Sequence, residues 1–183
     1  MASIFTHAFV AVAAGRVYAA GEAPARFWLL SAACAVAPDA DVAAFAFGVP
    51  YGSTFGHRGF THSLAFALLL GFAVVALFFR GAGFKTRWSL IAYFSAVTAS
   101  HAVLDALTNG GLGVAFFSPF SNERYFFPFR PVVVSPIGVA SFFSDWGVAV
   151  IKSELVWVCG PAALAAIAVL LFRQRAARRD EKA

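Results

Sequence analysis

Ser63-Leu64-Ala65-Phe66-Ala67-Leu68-Leu69-Leu70-Gly71-Phe72-Ala73-Val74-Val75-Ala76-Leu77-Phe78-Phe79 contains no charged side chain. Crossing the hydrocarbon core of a bilayer takes about 20 mostly apolar residues, with roughly 17–25 tolerated, so this run reads as a membrane-spanning helix. Runs of the same character lie on both sides of it. Upstream are Ile4 to Ala20, carrying His7 and Arg16, and Phe27 to Phe47, interrupted by Pro38-Asp39-Ala40-Asp41. Downstream are Trp88 to Leu107, with His101 and Asp105 near its end, and Leu155 to Phe172, broken only by Gly160-Pro161. Together they predict an all-α, polytopic membrane helix bundle of about five transmembrane helices. Ala19-Ala20-Gly21 looks cleavable, but no Lys or Arg precedes the first run. The positive start of a signal peptide is missing, so the run reads as a retained helix.

Composition supports this reading. Of 183 residues, 61% are hydrophobic and 13% charged, against roughly 45–50% and about 25% in soluble domains. A soluble enzyme and a disordered chain are excluded. So is a nucleic-acid binder, in spite of the net charge of +5. The length predicts one membrane-embedded domain, 1–183, closed by a basic cytoplasmic tail, 173–183. Cys34 and Cys159 both sit inside apolar runs, so neither a disulfide framework nor a CxxC metal site is expected. Gly110 to Glu154 holds Pro119, Pro128, Pro131 and Pro136 among many Phe. It reads as a large interfacial loop between the fourth and fifth spans. Pro136 and Asp145 argue against a sixth span over 132–150.

Charge orients the bundle. Arg16, Arg26, Arg80, Lys85, Arg87, Arg173, Arg175, Arg178, Arg179 and Lys182 fall on one side if five spans alternate. Arg58, Arg124, Arg130 and Lys152 fall on the other. The positive-inside rule then puts the tail in the cytoplasm and the N-terminus outside.

The same alternation gathers the chemistry. His7 starts span one, Asp39 and Asp41 lie in the later half of span two, His57 and His62 bracket the entry to span three, and His101 and Asp105 end span four. All seven meet at the outer level. His101 and Asp105, four apart, project from one helical face and can share a metal. Asp39 and Asp41 point about 200° apart on a regular helix. They reach one site only if the helix breaks, and Pro38 supplies the break. In His57-Arg58-Gly59-Phe60-Thr61-His62-Ser63, Gly59 permits a tight turn and Thr61 reads as the N-cap of span three.

A single intramembrane His is often only a packing residue, but each carboxylate at bilayer depth costs roughly 2.5–3.5 kcal/mol. Three of them with only Arg58 nearby call for a cation. Carboxylate and imidazole without thiolate suit zinc first, with manganese or iron as alternatives. Seven ligands exceed what one tetrahedral zinc uses. This favours two or more ions, or leaves Asp39 or Asp41 as a general base. Arg58, Arg124 and Arg130 are candidate anion clamps for a phosphate. Arg124 and Arg130 stand among Tyr125, Phe126, Phe127 and Phe129, a composition that equally fits an aromatic belt anchor.

His7, Pro38-Asp39-Ala40-Asp41, His57-Arg58-Gly59-Phe60-Thr61-His62-Ser63 and Ser100-His101-Ala102-Val103-Leu104-Asp105 together resemble the LexA-binding, inner-membrane-associated hydrolase family, also described as membrane-bound metal-dependent hydrolases. The resemblance covers about Thr6 to Pro136. The His101-to-Asp105 spacing is also similar to the HxxxD element of zinc-dependent phospholipases C. The family resemblance implies a bacterial or archaeal inner-membrane protein with metal-dependent hydrolase activity.

The expected function is hydrolysis of a phosphoester in a phospholipid or lipid-linked substrate at the outer face of the cytoplasmic membrane. Asp39, Asp41 and Arg58 are the catalytic candidates. Amide or ester hydrolysis of the ceramidase-like, single-zinc type is one alternative, and a non-enzymatic metal-binding membrane protein is the other.

Overall fold

The computed structural model describes residues 1–19 and 21–180, and Lys182 of the basic tail lies outside them. All regular structure among the described residues is helical, with two isolated bridges, Thr108 with Val132 and Val114 with Tyr125, and no strand. The order is α1 (Ile4–Ala19), α2 (Ala25–Val36), a 3-10 segment (Ala37–Phe47), a short 3-10 turn (Phe60–His62), α3 (Leu64–Phe78), α4 (Phe84–Ala106), α5 (Val139–Phe142), α6 (Asp145–Glu154), a π turn (Leu155–Cys159) and α7 (Gly160–Asp180).

Two of these helices are long and apolar enough to cross a bilayer: α2 with its 3-10 continuation, Ala25–Phe47, and the unbroken stretch Asp145–Asp180. Ile4–Ala19 and Leu64–Phe78 are apolar but shorter. At 1.5 Å per residue, the 15 residues of α3 rise only about 22 Å. The expectation of five full crossings therefore narrows to an all-helical bundle with two strongly apolar candidate spans. Apolar side chains nevertheless face outward along the shorter helix too, Leu69 at 62% exposure and Phe72 at 56%, as does Leu164 on α7 at 70%. Exposed apolar surface of this extent marks a face made for lipid.

The expected loop between the fourth and fifth spans is shorter than the sequence indicates. The last helix begins at Asp145, ten residues before the apolar run, because Ser144 caps it by accepting from the Trp146 amide. The irregular chain between α4 and α5 folds back over the end of α4. The amides of Asn109 and Phe127 donate to the carbonyls of Val132 and Ala106.

α4 is the axis of the bundle. Its first half packs into a dry aromatic core with Phe27, Val75, Phe79, Leu90, Tyr93, Phe94 and Val97. At Gly71 a Cβ would meet Ser95 Oγ at 2.2 Å, so α3 and α4 approach closely there and only glycine fits. The basic residues of this half sit around the same end. Arg26 stacks over Phe79 at 5.1 Å, Arg16 over Trp28 at 4.9 Å, and Arg173 donates to the Val17 carbonyl. His7, His62 and His101 lie at the other end.

Candidate metal centre

Pro38 ends the α-helical ladder of α2, and the chain continues for 11 residues as a 3-10 helix. Such runs seldom exceed 3–4 residues. At about 120° per residue, Asp39 and Asp41 diverge to two neighbouring faces. Between those faces stands His62, buried, with one ring nitrogen turned to each carboxylate.

The loop that delivers His62 is wound tightly. A Cβ at Gly56 or Gly59 would strike a backbone oxygen at 2.2 Å. Gly59 is thus required for close approach. The left-handed backbone belongs to Arg58, at φ 62°, a conformation that costs a non-glycine residue about 1–3 kcal/mol. The Arg58 amide donates to Asp41 Oδ2 at 3.2 Å and its carbonyl accepts from Ala115, which hold that geometry. Ser63, not Thr61, caps α3, accepting from the Phe66 amide at 3.1 Å. Thr61 instead donates to Asp41 Oδ2 at 2.6 Å.

Hydrogen bonding fixes the protons on two imidazoles. His101 Nδ1 lies 2.7 Å from the Ala35 carbonyl, which can only accept, so Nδ1 carries the proton and Nε2 presents a lone pair. Thr61 has a single hydroxyl proton, given to Asp41, so it accepts from His62 Nδ1 at 3.1 Å. His62 Nε2 is then also a lone pair. The two Nε2 atoms face each other at 3.1 Å. Asp39 Oδ1 stands 3.3 Å from His101 Nε2 and 3.7 Å from His62 Nε2, and Asp105 Oδ2 is 3.7 Å from His62 Nε2. Four electron-rich groups converge, and with His62 neutral no proton stands between them. Ligands held tetrahedrally at roughly 2.0–2.1 Å from one ion stand about 3.3 Å apart.

Both oxygens of Asp39 and both ring nitrogens of His7 are buried without a hydrogen-bond partner. Buried polar atoms left in this way cost about 1–3 kcal/mol each unless something satisfies them. His7 stacks on His101 at 3.7 Å between ring centroids, and its Nε2 lies 3.5 Å from Asp105 Oδ1. Asp39, His62, His101 and Asp105 thus fit a metal ion, with His7 at the rim of the same cluster. Burial pushes the His62 imidazole down and Asp39, Asp41 and Asp105 push it up by more, so it stands above its ordinary value.

The other candidate residues take different places. Asp41 forms a second group with His57 and His62. However, its Oδ1 accepts from His57 Nδ1 at 2.7 Å, and its Oδ2 is surrounded by Thr61, the Arg58 amide and His62 Nδ1. The carboxylate is arranged to orient imidazoles rather than to face the four converging groups. Arg58 is fully buried, and each of its guanidinium nitrogens has an internal acceptor: Asp105 Oδ2 at 2.9 Å, the Gly110 carbonyl at 2.8 Å and Thr108 Oγ1 at 3.0 Å. A clamp on a substrate anion would need those donors free. Arg124 likewise donates to the carbonyls of Tyr51, Ser53, His57 and Gly113, bracing the histidine loop. Arg130 is exposed and stacks over Phe126 at 4.7 Å.

Sequence reasoning missed Glu154. This buried carboxylate at the end of α6 accepts from Ser3 Oγ at 2.6 Å and Thr6 Oγ1 at 2.8 Å, holding the start of α1. It also missed the Ala2 amide, which donates to Asp105 Oδ1 at 2.7 Å. Glu154 stands at the polar edge of a long apolar run, where a carboxylate that cannot reach water needs donors. That was the available signal.

Among known proteins, residues 1–177 match the family model described as YdjM inner membrane protein. The chain is 38% identical over 178 residues to the inner membrane protein YbcI of Escherichia coli (strain K12), covering 96% of this chain and all of the relative. No solved structure matches. Coverage of this extent supports a cytoplasmic-membrane location: the chain belongs to the YdjM inner membrane protein family.

Proposed function

We propose that this protein is a metal-dependent membrane hydrolase that cleaves a phosphoester of a lipid or lipid-linked substrate at the outer face of the cytoplasmic membrane. The observation that carries the reading is the pair of Nε2 lone pairs on His62 and His101, 3.1 Å apart, beside an unpartnered Asp39 carboxylate. Asp39, His62, His101 and Asp105 would hold the ion, with zinc the first choice for this donor set. When bound, a divalent ion there supplies Lewis-acid polarisation and an activated water. The chain's own residues do the rest. Ala35 and Thr61 fix which nitrogen each imidazole presents. Asp41 orients His57 and His62, the carboxylate–imidazole arrangement that commonly supports a metal ligand. Arg58 compensates the Asp105 charge from within. The resemblance of the His57-to-Ser63 element to membrane-bound hydrolases points the same way.

A second reading has its own support. The four converging groups are sized for one ion, and the oxygens of both Asp41 and Asp105 already accept internal hydrogen bonds, which leaves Asp39, His62 and His101 as the free donors. One ion instead of two favours the amide or ester chemistry of single-zinc enzymes. Transport is the weaker case, because the core beyond Thr98 turns to Phe94, Tyr93, Phe27 and Phe79.

Metal analysis of the purified protein, run with a panel of lipid phosphoesters, amides and esters, tests these readings. Metal-free protein, or inertness towards the entire panel with metal bound, overturns the hydrolase. For orientation, a cysteine replacing Phe55, which is 70% exposed, should react with an impermeant reagent on intact spheroplasts. Labelling only after lysis reverses the sidedness.

A further inference from the structure

A cavity of about 450 Å³ reaches Asp39 from the flank of the bundle. Its walls include Met1, Ile4, Val36, Ala40, Val42 and Ile137, and its charged groups are the Asp39 carboxylate and the Met1 amino group. The mouth lies beside outward-facing Ile4, Phe5 and Ile137, which are 46–66% exposed. A cavity of this size matches a small-molecule site. Its lining is mostly apolar, and immediately behind it lie the two Asp39 carboxylate oxygens, buried and unpartnered. A different cavity of about 540 Å³ lies at the opposite end, between Arg16, Glu22, Trp28 and Leu170, and carries none of the cluster.

We propose that the flank cavity is a lateral port that takes the hydrocarbon chain of an amphiphilic substrate from the bilayer, laying the chain against Ile4, Val36, Val42 and Ile137 and its polar head at Asp39. The substrate class is therefore a chain-bearing lipid, not a water-soluble ester that happens to reach the membrane surface. The chain is the occupant because the apolar lining is continuous with the lipid-facing surface and ends at the converging groups. Burying apolar surface at about 25 cal/mol per Å² favours a chain over a polar solute. The substrate assignment rests on the hydrolase reading; the port itself does not.

The test uses the intact protein in vesicles of phosphatidylglycerol and phosphatidylethanolamine doped with a phospholipid carrying a diazirine on the chain carbons next to its head group. After illumination, cross-links are mapped by peptide mass spectrometry. The Asp39 side chain is only 8% exposed, so chains that stay in the surrounding bilayer do not reach it. Labelling at Val36 and Asp39 is expected in the wild type. Ala40→Trp, which fills the cavity, should lower it by about tenfold, the effect of denying a chain its apolar burial. Leu69→Trp, on the outward face of α3, should leave it unchanged. Bound metal should be the same in all three, and Val42→Trp provides an independent block if Ala40→Trp does not fold.

An unlabelled Asp39 in the wild type, or undiminished labelling in both blocked variants, overturns the port. The same proteins are assayed on a long-chain lipid phosphoester and a short-chain soluble one. Selective loss of the long-chain activity in Ala40→Trp supports the substrate class, and equal loss of both overturns it. Labelling without any hydrolysis keeps the port and removes the hydrolase. Long-chain hydrolysis without labelling does the reverse.

Discussion

The two halves of α4 have opposite organisation on one continuous helix. From Leu90 to Val97 the buried side chains are aromatic or aliphatic except for Ser95, whose Oγ has no hydrogen-bond partner where α3 passes closely at Gly71, and the Tyr93 hydroxyl is paired locally, donating to Ser31 Oγ at 2.9 Å. From Thr98 to Asp105 the buried set includes Thr98, His101 and Asp105 beside Ala102 and Leu104. Around His101 and Asp105, the neighbours His7 and Asp39 keep buried atoms with no hydrogen-bond partner. The first half is closed by packing. The second has matching geometry but incomplete bonding, the signature of a place arranged for a guest rather than for stability alone.

Substitutions in the two halves should therefore separate function from folding. The largest effect is expected for His101→Ala, which should lose bound metal and reduce activity by more than about 100-fold while the bundle stays folded. Wild-type metal content by elemental analysis of that variant would remove His101 from the site. Phe94→Ala should do the opposite. It should cost about 3–5 kcal/mol in detergent unfolding and leave metal stoichiometry intact, and a loss of metal there would break the division between the halves. Asp41→Asn should weaken metal affinity by about 10–100-fold, because it loosens the hold on His62 without removing a facing group. A competitive chelator titration reads this, and complete loss would make Asp41 a ligand. Tyr93→Phe should be mildest, at about 0.5–1.5 kcal/mol for one buried hydrogen bond, with metal and turnover unchanged. Proton competition adds a pH arm. His62 must be unprotonated to bind an ion and its proton affinity is raised by its carboxylate neighbours, so metal retention should fall as pH is lowered.

Much of the polar half could be read in the sequence, because His7, Asp39, His62 and His101 each sit near the end of an apolar run. Alternating run directions then leave only one level at which those ends can meet. The i, i+4 spacing of His101 and Asp105 and the break after Pro38 are local rules with few exceptions. What escaped was whatever depended on partners distant in sequence. Arg58 looks like a free cation until Thr108, Gly110 and Asp105 are seen around it. Thr61 and Ser63 are adjacent hydroxyls, and only the path of the loop decides which caps the helix. The number of crossings escaped for a different reason. A candidate span needs both helix length and sustained hydropathy: α1 and α3 are short, and α4, at 23 residues, is long enough but is not among the strongly apolar helices.

The winding after Pro38 carries a mechanical consequence. Rising about 2.0 Å per residue instead of 1.5 Å, the 11-residue segment is about 5–6 Å longer than the same residues would be as an α-helix. Relaxing it into that form would shorten the tether to the histidine loop. It would also swing Asp39 and Asp41 from about 120° to about 160° apart, so that His62 could no longer lie between them. The overwound segment thus works as a spacer that sets both reach and aim, and an insertion or deletion of one residue within it would detune the pair together.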